Sequence, residues 1–253
     1  MVGRYGLSDR QWQQLGPLLP GRADTVGVTA KDNRLFVDAV LYRYRAGIPW
    51  RDLPARFGDF RVIHTRHCRW SKKGIWELVF KVLSEDVDNE YVMLDSTIVR
   101  AHQHSAGAAG ERKKIECLGL SRGGISTKIH ALCDALGNPI SFKLTPGQAS
   151  DLEGADALLP GLTAGALLAD RAYDVEERVR KRLREANTEA VIPSKKSRLV
   201  KIEHDRDLYK ARHLIENFFA KIKQYRAIAT RYDKRACNFQ GAIHLVAAIE
   251  WLN

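Results

Sequence analysis

The sequence lacks the features that mark several common functional classes. No apolar run is long enough to span a bilayer, and the first residues lack the apolar core of a signal peptide. No glycine-rich phosphate loop of the nucleotide-binding types occurs, so no ATP requirement is indicated. Internal repeats and low-complexity tracts are also missing. We therefore expect a cytoplasmic globular protein rather than a membrane protein, a secreted protein or an ATPase.

Cysteine is scarce and scattered. The four cysteines are Cys68, Cys117, Cys133 and Cys237, and no C-x-x-C pair occurs among them. Zinc clusters and disulfide frameworks both need closely or regularly spaced cysteines. The spacing therefore argues against both, and we expect reduced thiols in a reducing compartment.

Basic residues are abundant and unevenly placed. The 253-residue chain carries a formal net charge of +11, from 41 basic and 30 acidic residues. Between Lys195 and Arg235 the excess is concentrated, because the segment is much richer in lysine and arginine than in acids. A concentrated basic segment predicts a polyanionic partner, of which nucleic acid is the commonest. The alternative is a charged surface that serves only solubility.

Residues 1–88 have the pattern of a small all-α domain. Ser8 is a predicted N-cap, and the apolar spacing of residues 31–47 predicts a helix that ends at Gly47. A short segment at 50–58, predicted as a short helix, and a turn precede a basic stretch. Helix, short helix, turn and basic helix is the layout of a helix-turn-helix.

The basic stretch at residues 60–74 interleaves cations with Ile63 and Trp70. As a recognition helix it would face a DNA groove or its phosphates. As one helix of a small bundle it would merely have a basic exterior. The candidate DNA-binding residues are Arg61, His64, Arg66 and Arg69.

An acidic bridge at residues 84–90 predicts a domain boundary, so we expect an N-terminal helical domain at 1–88 and a second domain at 89–253. A glycine-rich, basic stretch at 105–124 predicts a mobile loop. The rest of the second domain alternates strand-like and helix-like patterns, which predicts an α/β fold with a mixed sheet flanked by helices. The predicted strands lie at 90–102, within 125–145 as a hairpin, before Asp170, and at 188–194; the predicted helices lie at 151–159, 175–187, 207–226 and 238–251.

The predicted helix at 207–226 contains no proline or glycine and shows two stripes. Its core face comprises Ala211, Ile215, Phe218, Phe219 and Ile222. A second stripe, at spacings of three, four and seven, comprises Tyr209, Arg212, Glu216 and Lys223. An ordinary surface salt bridge between Arg212 and Glu216 is an equal alternative to a functional role.

Acidic residues on strands suggest a site. Asp95 lies within the first predicted strand and Asp170 at the end of a later one. If these strands are neighbours, the two carboxylates lie close together, and a helix packed across that end could add Glu216. Oxygen-only ligation suits Mg²⁺ or Mn²⁺, and two such ions can promote phosphoryl transfer on DNA. Arg212 and Lys223 would then hold phosphates, and Tyr209 could hydrogen-bond or stack against the strand.

Other residue groups give weaker signals. His102 and His104 could ligate a metal, but no clear third ligand follows, and a structural or DNA-facing pair is favoured. His130 and Cys133 have the residue types of a thiol nucleophile and its base, but one strand places them on opposite faces. Asp151, at a predicted helix start, is explained by the helix dipole.

Several stretches together carry a family resemblance. They are MLDSTIVRAHQHSAGA, SRGGISTKIHALCDALGNPISFKLTPGQASD, LLADRAYD and YKARHLIENFFAKIKQYRAIATRYDK. The last contains a Y-x2-R-x3-E-x6-K signature at Tyr209, Arg212, Glu216 and Lys223. The chain resembles the DDE transposases of bacterial insertion sequences, in the insertion-sequence-five superfamily. Residues 7–77 resemble the N-terminal domain of insertion-element transposases.

The resemblance implies an RNase H-like core in which Asp95, Asp170 and Glu216 form the catalytic, metal-binding triad for two Mg²⁺ or Mn²⁺ ions. It implies a DNA transposase that binds terminal inverted repeats, cleaves at the element ends and joins the 3′-hydroxyl to target DNA. Such an enzyme would act as a homodimer or larger assembly on double-stranded DNA in the nucleoid of a bacterial cytoplasm. The alternatives are a non-catalytic DNA-binding repressor or decayed transposase, and a nuclease that never joins strands.

Overall fold

A computed structural model describes residues 5–24, 28–105 and 115–253. The predicted mobile loop at 105–124 falls largely on residues 106–114, which lie outside the described residues. The chain forms two compact units, of which the first comprises Met1–Glu85 with Ile222–Asn253 and the second comprises Asp86–Lys221. These units do not divide the chain where the predicted functional domains do, at residues 88 and 89, and that division stays a prediction.

The predicted helices and strands occur in the predicted order, and the structure adds strands at Gly119–Ser121 and Thr230–Arg231. In chain order the α-helices are α1 (Asp9–Leu15), α2 (Asn33–Ala46), α3 (Phe60–Lys72), α4 (Ile75–Leu83), α5 (Asp151–Leu158), α6 (Lys181–Glu185), α7 (Arg206–Tyr209), α8 (His213–Lys223), α9 (Arg226–Ala229) and α10 (Ala236–Trp251). The strands are β1 (Tyr91–Ala101), β2 (Gly119–Ser121), β3 (Gly124–Cys133), β4 (Pro139–Pro146), β5 (Ala166–Ala169), β6 (Glu189–Val191) and β7 (Thr230–Arg231). Within the described residues, no helix is both long enough and apolar enough to cross a bilayer.

The helix boundaries of the first unit have local causes. The Ser8 side chain accepts a hydrogen bond from the Gln11 N–H, and the Gln11 side chain bonds back to the Ser8 N–H, which confirms the predicted cap of α1. Helix α2 ends at Gly47, whose φ of 72° is a conformation that favours glycine. The segment at 50–58, predicted as one short helix, forms two 3-10 helices, each preceded by a proline.

Aromatic side chains make up much of the first unit's core. The Phe36 ring lies 5.0 Å from the Trp70 ring, edge to face, and 6.0 Å from the Trp76 ring, stacked. Helix α10 is apolar on nearly every side and packs against α3 and α4. A helix buried all round in this way contributes most of its stabilisation through apolar contact.

The second unit contains the mixed sheet that the sequence predicts. Its strands lie in the order β4-β3-β1-β5-β6, and β2 pairs with the first residues of β3. The β1–β3 and β3–β4 pairs are antiparallel, whereas β1–β5 and β5–β6 are parallel. This order and these directions are the RNase H-like arrangement, so the predicted fold class is confirmed.

The predicted continuous helix at 207–226 is interrupted. A 3-10 turn at Lys210–Arg212 separates α7 from α8, and a further break precedes α9. The core face is confirmed for Ile215, Phe218, Phe219 and Ile222, all of which are buried. The Phe218 ring stacks on Phe142 of β4 with centroids 5.7 Å apart. The absence of proline and glycine therefore predicted helical structure correctly, but it did not predict the 3-10 turn and the break that divide the segment into α7, α8 and α9.

Candidate active site

The register of two parallel strands places Asp95 and Asp170 at corresponding positions. Leu94 of β1 pairs with Ala169 of β5; Asp95 is the next residue of β1, and Asp170 directly follows the last residue of β5. Asp95 remains within β1, while Asp170 begins a 3-10 turn and accepts a hydrogen bond from the Ala172 N–H at 2.7 Å. The condition on which the sequence prediction depended, that the two strands are neighbours, is met.

Arg212 connects two acids. Its Nη1 donates to Asp95 Oδ2 at 2.7 Å, and its Nη2 donates to Glu216 Oε1. The Arg212 and Asp95 side chains are about one-fifth exposed, whereas Glu216 is about half exposed. A partly buried ion pair with direct hydrogen bonds is stronger than an exposed one. The Arg212–Glu216 pair is therefore one half of a bridge that reaches the strand, rather than an isolated surface ladder.

The environment of Asp95 disfavours the ionised form of its carboxyl group. Burial raises the pKa of its carboxyl, and the charge of Asp170 raises it further. The Ser96 N–H and the Arg212 guanidinium oppose this rise without cancelling it. Burial alone would lower the pKa of Arg212, but the charges of Asp95 and Glu216 raise it overall. Asp95 thus needs a nearby cation to be ionised at little cost.

A second polar group lies on the opposite face of β1. Adjacent strand residues point to opposite faces, so Ser96 faces away from Asp95. The Ser96 hydroxyl donates to Asp151 Oδ1 at 2.6 Å, and Lys128 Nζ donates to the same oxygen at 2.9 Å. Neither Ser96 nor Lys128 was predicted from the sequence. A lysine between the β-branched Thr127 and Ile129 of a predicted strand was the signal that could have found the latter.

The donor set suits a divalent cation. Asp95 and Asp170 supply carboxylate oxygens from neighbouring strands, and Glu216 is linked to Asp95 through Arg212. Mg²⁺ and Mn²⁺ prefer such oxygen ligands. Within the described residues, however, no group of three His, Cys, Asp or Glu side chains is close enough to hold an ion. The guanidinium of Arg212 takes the position of a cation between two of the three acids.

The remaining residues of the predicted stripe have less defined places. The Tyr209 ring lies edge to face with His204 at 5.5 Å. Lys223 is the last residue of α8 and belongs to the first unit. Burial lowers the pKa of its ammonium group. Phosphate contacts of Tyr209, Arg212 and Lys223 stay predictions.

The four predicted DNA-binding residues of α3 divide into two kinds. Arg61 and Arg69 are exposed. The Arg66 guanidinium instead donates to Asn33 Oδ1 and lies 4.2 Å from the centre of the Phe36 ring, and burial lowers its pKa. His64 contacts Cys68 Sγ at 3.3 Å, and burial lowers its pKa as well. The structure therefore presents Arg61 and Arg69 to solvent, while contacts within the unit occupy His64 and Arg66.

Two weaker sequence signals have structural explanations. His130 Nε2 lies 2.8 Å from Thr145 Oγ1 and is buried, while the buried Cys133 lies three residues further along the same strand. The rings of His102 and His104 lie 4.7 Å apart, and no third metal ligand joins them in the described part of the chain.

Comparison with known families matches two models to the chain. Residues 88–251 match the model "Transposase DDE domain", which covers more than half of the sequence. The chain belongs to the Transposase DDE domain family. Residues 7–80 match the model "Putative transposase of IS4/5 family". The family assignment confirms the resemblance and makes a DNA transposase the functional class of the chain.

Curated relatives of this DDE transposase cover parts of it. The "Putative transposase for insertion sequence element IS6501" of Brucella ovis is 40% identical over 51% of this chain and 99% of its own length. "Uncharacterized protein y4sN" of Sinorhizobium fredii is 46% identical over 41% of this chain and 82% of its own length. Both relatives therefore match about half of this chain.

Similarity to solved structures is distant. The piggyBac transposase synaptic complex with hairpin DNA gives a TM-score of 0.41 at 12% identity, over 77% of this chain and 50% of that chain. The pre-cleavage Mos1 transpososome gives a TM-score of 0.29 at 10% identity, over 89% of this chain and 80% of that chain. Likenesses at this level are too weak to assign a role to any residue.

Proposed function

We propose that this DDE transposase binds the terminal inverted repeats of an insertion sequence, cleaves at its ends and joins the freed 3′-hydroxyl to target DNA. The observation that supports the proposal is the position of Asp95 and Asp170 on neighbouring parallel strands, with Glu216 linked to Asp95 through Arg212. The same three acids are the triad that the family resemblance implies. Cleavage and strand transfer are both phosphoryl transfers, so one such site can catalyse the two steps in turn.

Members of DDE transposase families generally use divalent metal ions. Asp95, Asp170 and Glu216 would hold two Mg²⁺ or Mn²⁺ ions. When bound, such ions activate the attacking oxygen and stabilise the leaving oxygen of an in-line displacement. Asp95 is suited to ligation because burial and the charge of Asp170 leave its carboxylate in need of cationic compensation.

Arg212 has a different role in this proposal. In the structure its fork donates to both Asp95 and Glu216 and compensates their charges in part. Once the acids hold another cation, the fork is available to donate two parallel hydrogen bonds to a DNA phosphate. Tyr209, one turn earlier, would hydrogen-bond or stack against the same strand, and Lys223 would add a phosphate contact. The salt bridge is then a resting state that DNA and metal displace.

End recognition would be the role of the N-terminal region. We propose that residues 1–88 form the functional DNA-binding domain and residues 89–253 the catalytic domain. Arg61 and Arg69 of α3 are the exposed cations of the four predicted ones and would contact phosphates or bases, while Arg66 and His64 hold the helix in place. Because two ends must be joined, we propose a homodimer or larger assembly on DNA, in the nucleoid of a bacterial cytoplasm.

A non-catalytic DNA-binding protein, such as a repressor or a decayed transposase, is the alternative. The observation that favours it is the engagement of Glu216 by Arg212, since the described residues contain no cluster of three ligands. Binding that persists in EDTA, with no cleavage in Mg²⁺ or Mn²⁺, would support this alternative.

The test is cleavage of a duplex that carries the terminal sequence of the encoding element. We expect cleavage by the full chain in Mg²⁺, none in EDTA, and a loss of at least about a thousandfold in Glu216→Gln, roughly 4 kcal/mol at the transition state. Transfer of the cut end into a second duplex then separates a transposase from a nuclease that never joins strands.

Glu153→Gln is the matched control for this experiment. Glu153 is an exposed acid in the first turn of α5, in the same unit as Glu216, and lies outside the proposed site. The control should cut like wild type. Undiminished cutting by Glu216→Gln would refute the assignment of the third acid.

A further inference from the structure

Two aliphatic side chains stand in solvent at the tip of a basic loop between β6 and α7. Leu199 is 99% exposed, the largest exposed fraction among the large apolar residues that the structure describes, and the adjacent Val200 is 78% exposed. Single exposed apolar residues are ordinary, but two neighbours this fully exposed forgo the apolar burial that normally stabilises a fold. We call residues 195–201 the basic loop and Leu199 with Val200 its tip.

The base of the basic loop is closed by hydrogen bonds. The Ile202 N–H donates to Ser194 Oγ at 2.8 Å, and the Ser194 hydroxyl donates to the Ile202 carbonyl at 3.1 Å. Inside the loop, Lys201 Nζ donates to the carbonyls of Lys195 at 2.6 Å and Lys196 at 2.9 Å. Because these bonds satisfy the loop from within, it is held in shape without burying its tip.

A buried carboxylate anchors the same loop to the second unit. Asp174 accepts from the Lys195 N–H at 2.7 Å and from Arg198 Nε at 3.0 Å, and it also pairs with Arg180 Nε at 2.7 Å. Burial raises the pKa of Asp174, but the hydrogen bonds from Lys195, Arg180 and Arg198 outweigh burial and lower it overall. The anchor is therefore ionised and keeps Arg198 turned inward, away from the tip.

The charges around the tip are of one sign. The basic loop contains Lys195, Lys196, Arg198 and Lys201 and no acid. Asp174 and Glu176 neutralise Arg198. Carbonyl contacts leave the charge of Lys201 in place, and Lys195 and Lys196 form no ion pair among the described residues. The seven-residue basic loop thus combines three ammonium groups with an aliphatic tip, a combination that suits an acidic backbone with apolar surface between its charges.

Duplex DNA has this combination, because stacked bases lie between two rows of phosphates. Proteins that deform DNA insert leucine, isoleucine or other apolar wedges between base steps while lysine and arginine hold the flanking phosphates. We propose that Leu199 and Val200 form such a wedge, which inserts into a base step of the bound DNA and unstacks it while Lys195, Lys196 and Lys201 hold the phosphates. This inference rests on the proposed function, since DNA is its ligand.

The test measures base unstacking without cleavage. A duplex carrying the element's terminal sequence is labelled with 2-aminopurine at successive positions and titrated with the full chain in EDTA. We expect fluorescence to rise severalfold at one or two adjacent steps with wild type and not with the double variant Leu199→Ala/Val200→Ala. Binding should change by no more than about threefold, because the cost of unstacking disappears together with the wedge contacts.

Two further variants test whether the fluorescence response is specific to the tip of the basic loop. Leu136→Ala removes another exposed leucine, 69% exposed and located in the β3–β4 turn, where no lysine or arginine flanks it. This variant should keep the full fluorescence response. Lys195→Gln/Lys196→Gln should keep the response at saturation but lower the slope of log affinity against log salt by about 0.9 for each lysine.

Each outcome bears on one proposal. An unchanged fluorescence response in Leu199→Ala/Val200→Ala would overturn the wedge, and so would wild-type DNA binding without any response. Sedimentation tests whether the tip is instead a contact between copies of the chain. If wild type sediments as a dimer and Leu199→Ala/Val200→Ala as a monomer, the wedge proposal is wrong. A wild-type chain that does not bind the end duplex at all would refute the proposed function itself.

Discussion

The acid cluster of Asp95, Asp170 and Glu216 with Arg212 and the basic helix α3 are both dense in charge, but they use charge in opposite ways. In the acid cluster, unlike charges meet directly, and Arg212 bridges Asp95 and Glu216. In α3 like charges follow one another, and no carboxylate lies within the helix itself. In the first region one guanidinium compensates two carboxylates in part. The other divides its cations between solvent and core.

The comparison shows where sequence patterns determine positions. In a parallel pair, the strand register fixes which residues lie side by side, so Asp170 follows Ala169 as Asp95 follows Leu94. In a helix, the same spacing can place a cation outward, as for Arg61, or against aromatic rings, as for Arg66. For these residues, charge on a helix therefore predicts the position of a side chain less reliably than charge on a strand.

The largest effect that would break this comparison is the loss of an acid from the cluster. Asp170→Asn should reduce cleavage of the end duplex at least about a thousandfold, ~4 kcal/mol, because a neutral amide is a poor ligand and removes a charge from the site. The control is Asp156→Asn, which removes an acid that pairs with Arg178 on the surface of the same unit. Rates are measured by single-turnover cleavage in Mg²⁺. Equal losses in both variants would mean that fold stability, and not ligation, explains the effect.

The sequence predicted the positions of Asp95 and Asp170 on neighbouring strands better than their surroundings. Strand order places these two acids, and the helical spacing of Arg212 and Glu216 predicts their ion pair. The grouping of all three acids around a metal stays a prediction. Ser96 and Lys128 depend on which face of β1 the helix α5 covers, and that is a tertiary choice. Likewise, nothing in the spacing of Arg66 shows that two aromatic rings from distant positions enclose it. The 3-10 turn at Lys210–Arg212 has no sequence signal that we recognise.

Buried histidines extend the comparison to pH. Burial lowers the pKa of His67 and His244 in the first unit, and of His130 in the second, to about 4. A folded pKa below the usual 6.5 favours the neutral ring, so this stability is present above pH 6.5 and is lost as the pH falls towards 4. Each such histidine is worth up to about 3 kcal/mol across that interval.

His244→Leu should therefore flatten the acid side of the stability curve. His244 stacks on Phe80 within the core of the first unit, where leucine is tolerated and does not titrate. Urea unfolding measures the free energy of unfolding at pH 7 and at pH 4.5. Between these pH values the free energy of unfolding should fall by up to about 3 kcal/mol less in the variant than in wild type. The same loss in both proteins would show that His244 is already charged, or exposed, in the folded state.

Two arginines of α3 offer a sharper contrast. Arg66→Ala should destabilise the fold by about 2 kcal/mol, because it removes packing on Phe36 and Trp70 as well as the charge. Arg61→Ala should stay within about 0.5 kcal/mol of wild-type stability, since its side chain is 78% exposed. Arg61→Ala should instead lower the salt dependence of DNA binding by about 0.9 in slope. If Arg61→Ala destabilised the fold and Arg66→Ala did not, the assignment of Arg61 to solvent and of Arg66 to the packed interior would be wrong.

The smallest effect concerns the stability cost of the acid cluster itself. Burial and the charge of Asp170 raise the pKa of Asp95 in the folded state, so the fold favours the neutral carboxyl. Its favourable contribution is present below the unfolded pKa and is lost as the pH rises through the folded pKa, which leaves an ionised and disfavoured carboxylate at pH 7. Asp95→Asn, which is neutral at every pH, should therefore stabilise the metal-free protein at pH 7 by up to about 1 kcal/mol.

This gain should disappear as the pH falls into the acid range, where wild-type Asp95 is also neutral, and thermal unfolding in EDTA at several pH values measures it. Asp174→Asn is the control of opposite sign. The hydrogen bonds and charges of Lys195, Arg180 and Arg198 outweigh the effect of burial and lower the pKa of Asp174, so its ionised form stabilises the fold at pH 7 and its loss destabilises it. If Asp95→Asn also destabilised the protein at pH 7, Arg212 would compensate Asp95 fully. Asp95 and Arg212 would then form a structural ion pair that stabilises the metal-free fold, and the contrast with α3 would no longer hold.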